Sequence, residues 1–304
     1  MAEQQKPEPQ QQDQPIDPRV FDLYDEYCHG YIDRREFLSR CAALTVGGVS
    51  ALWMAQALMP RYAEAQTISF TDPRITANYV EYDSPGGTSG TMRGYLVQPT
   101  GDGPFPAVVV IHENRGLNPY IEDVARRAGV AGFLALAPDG LSPVGGYPGN
   151  DDDGRVLQRG LDPDELDQDM INSARFLKGH ALSNGRLGST GFCWGGGMTN
   201  RLAVELGSDL QAGVPFYGAS APTEGVPNIE AAMMIIYAST DPRINAMWPE
   251  YEAALQANNV EHEMHMFEGT LHGFHNNSTP RYNETAANRA WNLTVGFFRR
   301  HLTA

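Results

Sequence analysis

The decapeptide Gly188-Ser189-Thr190-Gly191-Phe192-Cys193-Trp194-Gly195-Gly196-Gly197 constrains this chain more than any other stretch. It reads as the end of a buried strand, one residue on a sharp turn, and a glycine-paved start of a helix. Gly191 and Gly195 bracket Cys193 at the spacing G-x-C-x-G. Such a turn brings the strand and helix backbones so close that side chains at the two bracketing positions would collide. The gain is geometric: a sulfur is lifted clear of a sheet, and the amide N–H of Trp194, at a helix N-terminus, can face a developing oxyanion. This is the pattern of a nucleophile elbow, with cysteine where serine usually stands. The competing reading is a buried structural cysteine beside a glycine-rich turn, and the rest of the chain must decide between them.

From Ile75 onward the chain alternates strands and helices. Ile75–Tyr82 and Thr91–Gln98 alternate around the turn Pro85-Gly86-Gly87-Thr88, which predicts a β-hairpin. Phe105–His112 is a continuous β-branched run, as expected of a central strand buried on both faces. A short helix is expected over Ile121–Val130, then a strand over Phe133–Ala137. Asp162-Pro163 caps a helix running to about Lys178. Leu187–Phe192 is the strand into the elbow and Met198–Leu206 the helix out of it. Further strands are expected at Ala212–Tyr217, Met233–Ala238 and His262–Phe267, with helices at Trp248–Asn258 and Thr285–His301. This alternation predicts an α/β fold: a mostly parallel central sheet with helices on both faces, its site at the carboxyl ends of the strands.

The first 65 residues have another character. Residues 1 to about 20 are polar and rich in Gln and Pro. Phe21–Tyr31 has the spacing of an amphipathic helix. Arg34-Arg35, Phe37-Leu38, an apolar run from Cys41 to Met59 and a small-x-small site at Ala63-Glu64-Ala65 resemble a twin-arginine export signal cut before Gln66. The expected division is therefore 1–65 as tail and signal and 66–304 as the sheet domain, with a periplasmic or secreted product and the export machinery as a transient partner. A cytoplasmic protein with a retained helical arm, packed on the domain or on a second copy in a homo-oligomer, is the alternative. Without that segment, of Cys28, Cys41 and Cys193 only Cys193 remains, so no intramolecular disulfide could form. A formal net charge of −15, with Lys6 and Lys178 as the two lysines, argues against nucleic acid and anionic membrane surfaces as partners.

Two residues at other strand ends complete a constellation with Cys193. Asp241, in Ser239-Thr240-Asp241-Pro242, follows one strand, and His272, in Leu271-His272-Gly273-Phe274, follows the last. The order nucleophile, acid, base is that of the α/β-hydrolase fold. A thiol is only partly ionised near neutral pH, so His272 would take its proton and return it to a leaving alkoxide. Asp241 would hold the imidazole tautomer. Taken singly, the Asp-Pro could be a helix cap and the His a structural residue. After the Phe105–His112 strand comes Glu113-Asn114-Arg115-Gly116, where the second oxyanion donor is expected, with the Asn114 N–H as candidate. Glu113 is either a solvated charge or a proton acceptor beside the thiol. His112, His262, His265 and His275 lack the acid- or cysteine-rich spacing of a metal site, so neither metal nor cofactor is expected.

With the elbow, Glu113, Asp241 and the H-G-F element at His272 in view, the region from about 75 to 302 resembles the dienelactone hydrolase family of α/β-hydrolases. The resemblance implies a Cys193-His272-Asp241 triad, a thioester intermediate, and a Glu113 that contacts the resting thiol and helps form thiolate when substrate arrives. It implies a small ester or lactone as substrate. Well-known members hold a substrate carboxylate with arginines, one of them four residues after the histidine; here that position is Asn276. The family's mid-chain arginine would correspond to Arg155 or Arg159, Arg281 would compensate for the change at 276, and Arg115 and Asn276 itself are further candidate substrate contacts. A thioesterase or small-amide hydrolase on the same fold, and a catalytically silent binding or scaffold protein, are the alternative functions.

Overall fold

The computed structural model describes residues 16–44 and 57–303. It divides into two compact units, residues 1–60 and 61–304. In the first, helix α1 (Pro18–His29) begins at Asp17, whose side chain accepts from the Arg19 amide, and ends on Gly30 in the left-handed conformation. Helix α2 (Arg34–Ala43) is capped by Asp33, which accepts from the Glu36 amide. Val20, Tyr24, Cys28, Ile32, Phe37, Cys41 and Leu58 form a small apolar cluster. The amphipathic helix expected at Phe21–Tyr31 is thus α1. Arg34 and Arg35 open α2, and most of the apolar run that follows lies outside the described residues. No described helix is long and apolar enough to cross a membrane.

The second unit starts with a short helix, α3 (Tyr62–Ala65). Strands β1 (Ile75–Ser84) and β2 (Gly90–Pro99) form the expected hairpin, in register from Ile75↔Pro99 to Ser84↔Gly90. Then come β3 (Phe105–Ile111), α4 (Pro119–Val130), β4 (Leu134–Pro138), α5 (Asp151–Arg159), α6 (Pro163–Lys178), β5 (Ser183–Phe192) and α7 (Trp194–Leu206). The chain closes with β6 (Ala212–Phe216), β7 (Ala232–Ala238), α8 (Pro242–Asn245), α9 (Trp248–Ala257), β8 (His262–Phe267) and α10 (Glu284–Leu302). The sheet has eight strands in the order β1-β2-β4-β3-β5-β6-β7-β8. Among the described residues, the β1–β2 and β2–β4 pairs are antiparallel and the other five are parallel.

The β-branched run of β3 behaves as a doubly buried strand must. Val108 and Val110 join the core on one face, and Ala107, Val109 and Ile111 the core on the other. Among the departures from the sequence-based expectation, two lie beside the site. The helix out of the elbow starts at Trp194 rather than Met198, because the glycines that weaken helix propensity are also what lets the backbone turn at once. Helix α5 was not expected: Asn150 caps it by accepting from the Asp153 amide, and three aspartates fill its first turn, where the helix dipole favours them.

A buried carboxylate ties the start of this unit to α4. Asp123 accepts from the amides of Thr67 at 3.0 Å and Ile68 at 2.8 Å and lies 3.5 Å from the guanidinium of buried Arg126. Arg126 in turn donates to the Ile68 carbonyl and the Tyr95 hydroxyl. Asp123→Ala would leave that buried cation undercompensated and two amides without acceptors. A loss of about 3 kcal/mol or more is expected in urea denaturation, with Asp123→Asn losing less; a change below about 0.5 kcal/mol would contradict this account.

Candidate active site

Five strands deliver the site. Glu113 follows β3, Cys193 follows β5, Tyr217 follows β6, Asp241 follows β7 and His272 lies in the loop after β8. All five lie past the carboxyl ends of neighbouring parallel strands.

At the elbow, Cys193 has φ 57° and ψ −113°, a conformation side-chain-bearing residues rarely adopt and one that costs on the order of 1–3 kcal/mol. The surroundings hold it there. Its amide donates to the Phe216 carbonyl at 3.1 Å, and its carbonyl accepts from the Gly197 amide at 3.1 Å. A Cβ on Gly191 would sit 2.1 Å from the Gly195 carbonyl oxygen, and one on Gly195 would sit 2.5 Å from the carbonyl oxygens of Ile111 and His112. Only glycine fits at either position. The Trp194 amide is among the helix-start N–H groups that have no intrahelical acceptor. Asn114, half-buried, lies on the loop between β3 and α4.

The candidate acid and base are joined. His272 Nδ1 lies 2.6 Å from Asp241 Oδ2, and both residues are buried. The other Asp241 oxygen caps α8 by accepting from the Ile244 amide. The two loops are stitched together, since the Thr240 amide and hydroxyl both donate to the Thr270 carbonyl. A ring nitrogen of His272 lies within 4.8 Å of Cys193 Sγ. The Tyr217 ring packs against the imidazole, centroid to centroid 4.9 Å. Tyr217 is fully buried at φ 38°, and burial lifts its phenol well above the usual range, so it stays protonated.

Glu113 is buried to 1% exposure. Its Oε2 accepts from Asn276 Nδ2 at 3.1 Å, and its Oε1 lies 3.4 Å from Arg115. The Asn276 amide is oriented by its other end, because Oδ1 accepts from the amide and hydroxyl of Ser278. Burial raises the Glu113 carboxyl above its ordinary range, and the Cys193 charge adds to this; Arg115 and Arg281 pull the other way. Arg115 also donates to Asp151 Oδ2 at 2.7 Å. Asp151 is held as carboxylate by Arg115 and by the hydroxyls of Tyr62 and Tyr147, against its burial.

The remaining candidates fall in different places. Arg281 is buried under the histidine loop, where a Cβ on Gly273 would meet its guanidinium at 3.0 Å. Arg155 is buried and pairs with Asp152 of its own helix. Arg159 lies exposed on α5, its Nε on the Arg155 carbonyl. His275 is buried against Phe192 and bonded to Tyr120, His262 bonds the Val260 carbonyl, and His265 lies beside Glu263. Sequence reasoning missed Tyr217, Asp151, Tyr62 and Tyr147. The first had a signal in the Phe216-Tyr217-Gly218 strand end; Tyr62 had none, because its contacts are long-range, and the Tyr147–Asp151 pair, four residues apart, lies in a polar stretch without apolar periodicity.

The sheet, the elbow and the joined acid and base define an α/β-hydrolase. The model of the dienelactone hydrolase family matches residues 92–302, and a YqhI-like model matches residues 8–44. The chain belongs to the dienelactone hydrolase family, and it is a hydrolase of the ester and lactone class. It is 62% identical over 116 residues to a putative hydrolase fragment, YghX, of Escherichia coli, covering 38% of this chain and 98% of that protein. It is 32% identical to a probable 2-oxo-3-(5-oxofuran-2-ylidene)propanoate lactonase of Bradyrhizobium, over 71% of this chain and 92% of that one. The crystal structure of a putative dienelactone hydrolase from Klebsiella pneumoniae has the same fold, with a TM-score of 0.65 at 24% identity, over 74% of this chain and all of that one.

One buried group beside the site makes stability depend on pH. His112 stacks on Trp194, accepts from the Gly140 amide at Nε2, and has Nδ1 on the Glu113 carbonyl. Burial lowers it from 6.5 to about 4. Between those pH values only the unfolded chain takes up the proton, so stability falls as pH drops through that window, by up to about 3 kcal/mol. Thermal melts from pH 7 down to pH 4.5 should show the decline. His112→Gln, which keeps an acceptor but does not titrate, should start less stable and lose less; equal losses would mean that other groups carry the acid sensitivity.

Proposed function

We propose that Cys193, His272 and Asp241 act as a catalytic triad on a small ester or lactone through a thioester intermediate. The observation that carries this reading is the strained Cys193 at the elbow, within 4.8 Å of an imidazole nitrogen whose ring is anchored on Asp241. With Nδ1 donating to Asp241, Nε2 is the nitrogen available to the thiol. It accepts the Sγ proton as sulfur attacks the carbonyl carbon. The Trp194 and Asn114 amides stabilise the resulting oxyanion. Collapse expels the alkoxide, which takes the proton from His272; in a lactone this alkoxide stays tethered to the acyl group. Water then cleaves the thioester, giving its proton to His272, and the thiol is restored.

Glu113 is the local proton acceptor in this scheme. Its buried carboxyl, raised above the ordinary range, is suited to exchanging a proton with a neighbouring thiol. Arg281, buried close enough to influence Glu113, is the favoured partner for a substrate carboxylate in place of the arginine that Asn276 replaces. A carboxylate-bearing lactone, of the kind the Bradyrhizobium relative's name describes, fits that assignment.

Cys193→Ala should lower kcat for p-nitrophenyl acetate and small lactones by about a thousandfold or more, and Cys193→Ser should keep a trace. Equal activity of wild type and Cys193→Ala would end the reading. The acid limb of kcat/KM should lie above the ordinary carboxylate range and be lost in Glu113→Gln; an unaltered limb in that variant would remove Glu113 from the scheme.

A further inference from the structure

The expected leader cleavage falls between Ala65 and Gln66, yet the residues just before it are built into the hydrolase unit. The Arg61 amide donates to the Ser278 carbonyl at 2.8 Å, and Asn277 Nδ2 donates to the Ala65 carbonyl at 2.7 Å. Both acceptor and donor belong to the loop that carries Asn276. Between them, the Tyr62 hydroxyl donates to Asp151 Oδ1 at 2.7 Å and accepts from buried Asn118 at 2.8 Å. Tyr147 donates to the same Asp151 oxygen at 2.8 Å, its ring edge-on to Tyr62.

From Asp151 the chain of contacts runs inward. Its second oxygen accepts from Arg115 at 2.7 Å, and the other arm of Arg115 lies 3.4 Å from Glu113. Three buried ionic groups are therefore coupled in series, and the outermost is held by two phenols. Buried charges of this kind keep their places only while each remaining lone pair is satisfied.

We propose that Tyr62 is a positioning residue for the thiol-activating carboxylate: it fixes Asp151, Asp151 fixes Arg115, and Arg115 sets the charge state of Glu113. The active enzyme accordingly keeps residues 61–65, and a chain cut after Ala65 has an incomplete site. This rests on the assignment of Glu113 as proton acceptor given above.

The direction of the effect follows from electrostatics. Without the Tyr62 hydroxyl, more of the Asp151 charge falls to Arg115. The guanidinium is drawn toward Asp151 and supports Glu113 less. Glu113 also feels Arg281, Asn276, the Cys193 thiol and the phenols of Tyr62, Tyr120 and Tyr217. None of these changes in a Tyr62→Phe variant except Tyr62 itself, so Glu113 should take up its proton at higher pH.

The test uses the full chain. The pH dependence of Cys193 alkylation by iodoacetamide, read by mass spectrometry, and of kcat/KM for p-nitrophenyl acetate are compared in wild type and Tyr62→Phe. The acid limb of both profiles should move up by about half a pH unit or more, with the high-pH plateau changed by less than about threefold. Tyr147→Phe removes the other phenol from the same oxygen and should move the limb the same way, so the test survives poor folding of one variant. Loss of folded protein alone would lower the plateau without moving the limb. Limbs superimposed on wild type overturn the proposal. If Cys193→Ala is inactive while the limbs stay put, only the role of Tyr62 falls; if Cys193→Ala is fully active, the assignment beneath it falls as well.

Discussion

The structure depends on a close approach of backbones around Cys193. Strand β5, helix α7, the end of β3 and the end of β6 meet at distances that exclude a Cβ at Gly191, Gly195, Gly196 and Gly218. That crowding forces the turn to be sharp, and the sharp turn gives Cys193 its positive φ. The strain is local, and the packed backbones and two hydrogen bonds around the turn hold Cys193 in it. The other residues of the site are arranged around that point.

Around that point the polar groups divide into two sets. Asp241 and His272 form a short, direct pair. Glu113, Arg115 and Asp151 form a longer series, closed on one side by Asn276 and on the other by tyrosine hydroxyls. The family resemblance leads one to expect an arginine at position 276. Asn276 keeps a donor on Glu113 but brings no charge, so the cations near this carboxylate are Arg115 and Arg281, which come from other positions in the loops. The electrostatic balance at Glu113 is thus kept by Arg115 and Arg281, with Asn276 as a neutral donor.

Much of this was legible in the sequence because it is local or periodic. The G-x-C-x-G spacing needs glycines for a steric reason that acts within five residues. The β3 run is β-branched because both of its faces are covered. The chain order of Cys193, Asp241 and His272 follows from strands that come in sequence. The polar series around Asp151 was not legible, because Tyr62, Asn118 and Asp151 are distant in sequence and no pattern in any one segment records their meeting. Helix α5 was hidden by its own polarity: its aspartates serve a helix start and a buried ion pair, and neither leaves an apolar stripe. A small-x-small motif before Gln66 is a local signal, whereas the bonds that join Arg61, Tyr62 and Ala65 to the second unit are tertiary.

The stitching of Thr240 to Thr270 has a mechanical consequence. Both bonds of Thr240 go to one carbonyl of the histidine loop, so carboxylate and imidazole rest on a shared support. The sulfur sits on a different part of the frame, the glycine-lined turn between β5 and α7. In the proposed reaction the gap between ring and thiol is then the span a proton would cross in both directions.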